Sequence, residues 1–399
     1  MLKSKEMSAE SIIQKISKEG NEPEWLLKRR LGALKLFREA QMPLFTYGLN
    51  MNLSIDLDLD EVDANEAGKA DKKIRNSNRN IIIENFHEAL KNHGDILMEN
   101  FMKAVPANEK FTYLHQAFLN NLTFVYAPKN IEVKEPIEIS SGMDSNALFD
   151  HLIILAEDNS KLTLVEDSNS NAGNGYKSKI VEIYAKGNAI INYGDVQLLS
   201  HETFNFTIKR AVIGKNSRIN WMDCCFGSKA TMSEVTTILN GEGASTNNHG
   251  IFFGSKAQQF DLVANSLHKA PNTVSDIFTK GALTDKAKCV YRGLVKIYDN
   301  AYGSNGYQKE DTLLLSNDAV ADSIPNLEID NNDVRCTHGA TIGRIDKEKM
   351  FYMRSRGLNE EQATKEYVKG FFDSLIQKIQ MENLRDNMHD MVESIMSKK

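Results

Sequence analysis

The sequence predicts a mainly β protein, a stacked solenoid of short strands held between helical regions at both ends. Three observations carry this. Short β runs crowd the stretch from about Leu122 to Cys336, turn-opening glycines recur within it near multiples of about 13.5 residues, and the flanking stretches show apolar residues at helical spacing.

The helical signals run from Ser8 to about Asn120. Ser8 is an N-cap candidate ahead of Ile12, Ile13 and Ile16, and Pro23 sits at the start of a second segment, as a first-turn proline should. That segment carries Trp25, Leu26, Leu31, Leu34 and Phe37 on one stripe before Pro43 ends it. Residues 60–80 are polar, with few aliphatics, and read as a mobile loop. Helical spacing returns at Ile82, Phe86, Ala89 and Leu90, and again at Phe111, Leu114, Phe118 and Leu119.

The β stretch contains runs such as Thr123 to Tyr126, Ile180 to Tyr184 and Phe204 to Ile208. Glycines that open a turn and lead into a strand stand at Gly187, Gly214, Gly227, Gly241, Gly254 and Gly281, with gaps of 27, 13, 14, 13 and 27 residues. One strand and one turn per half-coil, with about 27 residues per coil, is what a stacked β-solenoid requires. Glycine is expected there to supply the positive φ of tight corners. An antiparallel sandwich, whose turns also recur regularly, is the competing architecture.

From Asp346 the chain is helical again. Asp346 caps a short segment that stops at Gly357. Asn359 caps what reads as the last helix, with Gln362 in the capping-box position and Leu358 placed to staple onto Ala363. Ala363, Tyr367, Val368, Phe371, Phe372, Leu375, Ile376 and Ile379 form a broad apolar stripe, suited to a core or to a partner. The charged tail beyond Gln380 reads as poorly buried.

The 399 residues carry 48 Lys and Arg against 54 Asp and Glu, a net charge of -6, which argues against nucleic-acid binding by counterion release. No apolar run approaches the length of about 20 residues that spans a bilayer, and no secretory signal is readable, so the expected location is cytoplasmic. Four cysteines without a C-x-x-C pair exclude a disulfide framework or a self-contained zinc site. P-loop, dinucleotide and nucleophile-elbow signatures are absent, and His201-Glu202 lacks the second histidine of a zincin.

The densest candidate site runs from Val334 to Thr341. On a strand, Cys336 and His338 face the same side, roughly 6.5–7 Å apart at Cα, and can converge on one iron or zinc ion. Two ligands do not complete a site, so others must come from elsewhere in the chain or from another subunit. A buried cysteine beside a hydrogen-bonded histidine is the alternative. Cys224, with Met222 and Phe226, and Cys289, with Ala287 and Tyr291, read as core. Cys225 shares its face with Trp221 and Asp223, and His249 and His268 read as structural.

Taken together, these residues match a known family. The stretch Glu22-Pro-Glu-Trp-Leu-Leu-Lys-Arg-Arg-Leu-Gly-Ala-Leu resembles the entry helix of the SufB/SufD family of iron–sulfur cluster assembly proteins. In family order follow Tyr126-Ala-Pro-Lys-Asn-Ile-Glu-Val, Tyr291-Arg-Gly-Leu-Val-Lys-Ile, Leu313-Leu-Leu-Ser and Pro325-Asn-Leu-Glu-Ile. Most specific are Asp333-Val-Arg-Cys-Thr-His-Gly-Ala-Thr-Ile-Gly and Phe351-Tyr-Met-Arg-Ser-Arg-Gly-Leu. The resemblance implies a right-handed parallel β-helix (solenoid) flanked by N- and C-terminal α-helical regions. It also implies a scaffold, not an enzyme, in a SufBCD-type complex that assembles and transfers iron–sulfur clusters. ATP hydrolysis would be supplied by a SufC-like ABC ATPase, and the second partner is a SufB-like paralogue or another copy of this chain.

Within the family, C-[ST]-H-G-A-T is the SufD-like form. Gly339 stands where SufB-like chains have glutamate, and no cysteine lies between Val290 and Arg335, where SufB carries its sulfur-receiving thiol. Tyr47-Gly-Leu-Asn-Met-Asn-Leu-Ser looks as much like SufB, which keeps a self-pairing chain open. By resemblance His338, with Cys336 beside it, contributes iron or cluster ligands at a subunit interface, and the cluster is transient and shared. Phe351, Tyr352, Arg356, Phe371 and Phe372 are the candidate contacts for the ATPase; flavin association is not readable from the residues. The organisation expected is a helical region over residues 1–121, a β-helix over 122–344 and a partner-binding helical region over 345–399. A carbohydrate-acting β-helix enzyme is the competing functional class, which the lack of a readable secretory signal disfavours.

Overall fold

The structure, a computed structural model, describes residues 9–47, 51–53, 71–170 and 175–397. Helices α1 (Ala9–Glu19) and α2 (Glu24–Glu39) lead into a two-stranded ribbon, β1 (Thr46–Tyr47) with β2 (Met51–Asn52). Strands β3 (Asp71–Arg75) and β4 (Ile82–Asn85) and helices α3 (Phe86–Asn100) and α4 (Lys110–Phe118) complete the N-terminal part. The proposed cap Ser8 and residues 60–70 lie outside the described residues. Residues 71–75, within the stretch expected as a loop, form a strand because residues 138–142 offer them an edge. Ile82 likewise belongs to β4, and α3 starts after it on an Asn85/Glu88 capping box.

The solenoid strands are β5 (Asn121–Ala127), β6 (Ile137–Met143), β7 (Ala147–Ala156), β8 (Lys161–Ser170), β9 (Tyr176–Ala185), β10 (Ile190–Leu198), β11 (Phe204–Ile213) and β12 (Arg218–Cys225). They continue as β13 (Ala230–Leu239), β14 (Ser245–Gly254), β15 (Gln259–His268), β16 (Val274–Leu283), β17 (Lys288–Ile297), β18 (Asn305–Leu314), β19 (Val320–Ile329) and β20 (Arg335–Arg344). From β5 onward every strand pairs in parallel with the strand two positions along, so two nine-stranded sheets face each other across the interior. The result is a β-solenoid of about eight turns. Phe204 pairs with Ala230 and Lys288 with Val320, so a coil takes 26 to 32 residues, bracketing the expected period.

The corners are not made as expected. None of the six glycines that mark the period has positive φ. At one edge the left-handed residue is instead Asn130, Asn159, Asn188, Asn216 and Asn272, with glycine only at Gly243 and Gly303. Asparagine tolerates this conformation, and its side chain adds a bond glycine cannot make: Asn159 Nδ2 donates to Asn130 at 2.8 Å. Each corner also donates its backbone N–H to the next coil, as Asn188 does to Lys215 O at 2.8 Å. The period-marking glycines serve close approach. A Cβ at Gly227 would stand 2.2 Å from Leu199 O, and one at Gly241 2.1 Å from Lys215 N.

The two ends of the solenoid differ. At the first end β3 and β4 turn antiparallel and cover the initial strands. At the other end β19 and β20 are the last strands of their sheets, with no further strand on them among the described residues.

The N-terminal helices cover the outer face of the sheet that ends in β19, where Phe111 stacks on Phe206 at 4.5 Å and Phe118 meets Phe149. The entry motif fastens this layer. Arg30, fully buried, takes Glu22 with two nitrogens at 2.8 and 2.6 Å and donates to Ala117 O on α4.

On the other sheet pack α6 (Glu360–Ile376) and α7 (Glu382–Ser397), reached through α5 (Lys347–Ser355). The caps expected at Asp346 and Asn359 form. The tail past Gln380 is not loose. Met381, Leu384, Met388, Val392 and Met396 recur at helical spacing and are buried, so α7 joins the core that α6 begins.

Candidate functional site

β20 has the sequence RCTHGATIGR. It pairs with β18 so that Cys336 lies over Gly306, His338 over Gln308 and Ala340 over Glu310. Gly306, Gln308 and Glu310 belong to the solenoid interior, so strand alternation turns Cys336 and His338 inward while Arg335, Thr337 and Gly339 face out. With no further strand beyond among the described residues, the inward face of this last coil is open: His338 is exposed and Cys336 half-buried. Both edges also leave backbone donors and acceptors unused.

Gly306 makes room for the thiol, since a Cβ there would stand 3.2 Å from Cys336 Sγ. Burial pushes the Cys336 thiol above its ordinary pKa, so it sits protonated at neutral pH and a metal must displace the proton. Among the described residues no three His, Cys, Asp or Glu side chains converge to hold a metal ion. The strand therefore offers two ligands of suitable softness, thiolate and imidazole, at a face where a second molecule can bring the others.

The remaining cysteines are interior. Cys224 sits with Met222 and Phe226 under α6 and α7; Cys225 and Cys289 lie inside the solenoid. Burial raises all three thiols well above their ordinary pKa. His268 bonds Thr273 and Ser275 at 2.8 Å each, and burial lowers its pKa to about 4. His249 does have an acidic neighbour, Asp276 at 3.7 Å.

The candidate partner residues separate. Phe351 is 75% and Tyr352 58% exposed on α5, a helix that buries none of its residues, and Arg356 donates to Tyr352 Oη at 3.1 Å. Phe371 is half-buried, with Lys280 Nζ 4.1 Å from its ring centre and donating to its carbonyl at 2.6 Å. Phe372 is completely buried against the sheet, so it has no surface for a partner and belongs to the core.

Sequence reasoning missed a buried ionic core. Inside the early coils Lys179 meets Glu166 at 2.7 Å, Tyr193 donates to Glu166, and Lys209 meets Asp195 and Asp223 at 2.5 Å each. Burial works against each charge, yet Lys209 holds Asp195 well below the carboxylate range, and Asp195 with Asp223 pushes Lys209 up. Burial lowers Lys177 to about 8, and it donates to Ser168 at 2.6 Å. A second network joins helix to sheet: His115 bonds Ser178 and His151, and His151 bonds Glu182 at 3.0 Å. Glu182 also accepts the N–H groups of Met102, Ala104 and Val105. The available signal was lysine and glutamate within strands otherwise fit for a core, as in Lys177-Ser-Lys-Ile-Val-Glu, where the two lysines face one side and the glutamate the other.

Comparison with known proteins gives a single result. Residues 139–371 match the family model described as SUF system FeS cluster assembly, SufBD core domain. A Staphylococcus epidermidis protein named as an iron–sulfur cluster assembly SufBD family protein is 30% identical over 417 aligned positions, covering 94% of this chain and 90% of its own. Similarly named proteins of Staphylococcus haemolyticus and Staphylococcus aureus are 30% and 29% identical over the same shares.

Proposed function

Because the chain belongs to the SufBD family of iron–sulfur cluster assembly proteins, an assembly subunit and not a catalyst, we propose that it is the SufD-like scaffold subunit of a SufBCD-type complex. Its part is to present Cys336 and His338 at the open solenoid end, where a SufB-like chain pairs edge to edge and supplies the remaining ligands of a transient cluster. The observation that carries this reading is the asymmetry of the two ends. One end is closed by β3 and β4, while the other leaves two strand edges and an inward-facing thiol and imidazole uncovered. An uncovered edge of this length invites pairing with another chain.

A SufC-like ATPase, in this reading, docks on the C-terminal helices through Phe351, Tyr352 and Arg356, with Phe371 beside them. ATP then acts only through that partner. The three fully buried cysteines and the absence of a disulfide among the four fit a reducing, cytoplasmic setting. The described N-terminal residues, 9–47, 51–53 and 71–120, serve in this reading to close the first end and cover one sheet.

The test is anaerobic co-expression with SufB-like and SufC-like chains, reading stoichiometry, iron and acid-labile sulfide. The expected result is a mixed complex whose cluster content falls sharply with His338→Ala and Cys336→Ser while the complex still forms. Normal iron and sulfide in the His338→Ala complex would sink the ligand role. Recovery of this chain paired with itself in place of a SufB-like chain would favour the self-pairing form.

A further inference from the structure

Buried carboxylates in this protein come with a positive charge or with N–H donors. Asp150 has Lys72, Glu166 has Lys179, Asp195 has Lys209, and Asp261 has Arg292. Asp311 has Lys309, and Glu182 has His151 and three backbone N–H groups. Glu310 on β18 is the exception among the described residues: only 2% exposed, it has the Thr312 hydroxyl on one oxygen and no cation. Its other oxygen, Oε2, makes no hydrogen bond of good geometry.

The neighbouring inward side chain is equally unprovided for. Gln308 is fully buried, and neither its Oε1 nor its Nε2 has a partner. Its amide reaches across to β17, where a Cβ on Gly293 would stand 1.9 Å from Nε2, so glycine is what leaves the amide its space. Ser323 of β19 approaches Glu310 from the opposite sheet, close enough to favour its ionised form, though its buried Oγ makes no hydrogen bond of good geometry. Orphaned buried polar groups are costly and uncommon in folded proteins. Here four such atoms gather between the last two coils, directly beneath His338.

We propose that these side chains form a divalent-cation site built from oxygen donors, Glu310 Oε2, Gln308 Oε1 and Ser323 Oγ, distinct from the thiol and imidazole above it. Carboxylate, amide carbonyl and hydroxyl are the ligand set of hard divalent ions, with water completing the shell. The ion supplies the positive charge that every other buried carboxylate already has. Without it, burial keeps the Glu310 carboxyl protonated to about pH 7. Iron(II) is the cation of interest, a choice that rests on the cluster-assembly reading. The site would then hold iron one rung below the strand that presents Cys336 and His338.

The experiment uses the full-length chain, freed of metal, titrated with Mn(II) as an electron-paramagnetic-resonance probe and with Fe(II) anaerobically. One ion should bind to the unaltered chain, and Glu310→Gln, which copies the shape of the neutral acid, should abolish binding. Gln308→Leu is the second variant, should the first lose its circular-dichroism spectrum. His338→Ala should leave the ion bound, or weaken it while Glu310→Gln still abolishes it. Absence of binding in the unaltered chain, or undiminished binding in Glu310→Gln, overturns the site. Cluster formation in the complex with His338→Ala is scored separately, so the oxygen-donor site can fail while the scaffold reading stands, and the reverse.

Discussion

The side-chain amide of Asn188 donates to that of Asn159, one coil below, at 3.0 Å, and both residues are in the left-handed conformation. The pair states how this solenoid turns its corner: one residue type satisfies the backbone conformation and also links neighbouring coils. Asn188→Ala is expected to cost about 1–2 kcal/mol through the left-handed backbone, plus the lost ladder bond. Asn188→Gly keeps the conformation and should cost less. Equal losses for the two in chemical denaturation would show that the amide ladder, not the backbone, is what asparagine contributes.

Removing Lys209 should be far more damaging. Lys209→Met leaves the buried Asp195 and the half-buried Asp223 without the cation between them, and breaking a buried pair in this way costs roughly 3–5 kcal/mol. The pair also sets a pH window. Asp195 has a depressed folded pKa, so its contribution is present above the ordinary carboxylate pKa and lost as pH falls through the lower folded value. Lys209 has a raised folded pKa, so its contribution is present below the ordinary lysine pKa and lost only as pH rises through the folded one. Acid denaturation should therefore be less steep in the Lys209→Met variant, measured as denaturation midpoint against pH.

Glu310 has the opposite sign. Burial raises its folded pKa to about 7, so the folded chain binds the proton more tightly than the unfolded chain does. Metal-free stability should decline as pH rises from the ordinary glutamate range to about 7 and level off above it. Glu310→Gln should remove that decline and be the more stable form at pH 8. Parallel stability curves for the two proteins would show that Glu310 is not buried as described.

The C-terminal aromatics should divide by burial. Phe372→Ala is expected to lose roughly 3–5 kcal/mol, as for a large side chain removed from a core. Phe351→Ala and Tyr352→Ala touch exposed rings and should leave the melting temperature nearly unchanged. Under the proposed function they should nevertheless weaken retention of the ATPase in a pull-down. Full retention with both exposed rings removed would place the docking surface elsewhere.

Much of this was legible in the residues, for local reasons. Asp346 and Asn359 cap helices because each side chain reaches N–H groups two or three residues away. The solenoid period showed because each coil must repeat the length of the one it pairs with. The corner chemistry was misread because glycine advertises both positive φ and close approach, and sequence does not tell the two apart. The methionine-rich tail read as loose because charged residues are as frequent in it as apolar ones; the apolar stripe of α7 is recognised once α6 and the sheet are there to receive it.

By itself the sequence determined the coil length, the helical flanks, the family motifs and the pairing of Cys336 with His338 on one face of a strand. These depend on neighbours within a few residues or on a simple repeat. Tertiary structure alone decided that the strand is the last of its sheet, that Phe372 is inside, that Lys209 stands between Asp195 and Asp223, and that Glu310 has no counter-charge. Alternation along a strand says only that a side chain faces inward. What it meets there is brought by other coils and by the opposite sheet, and stacking, not chain proximity, sets those distances.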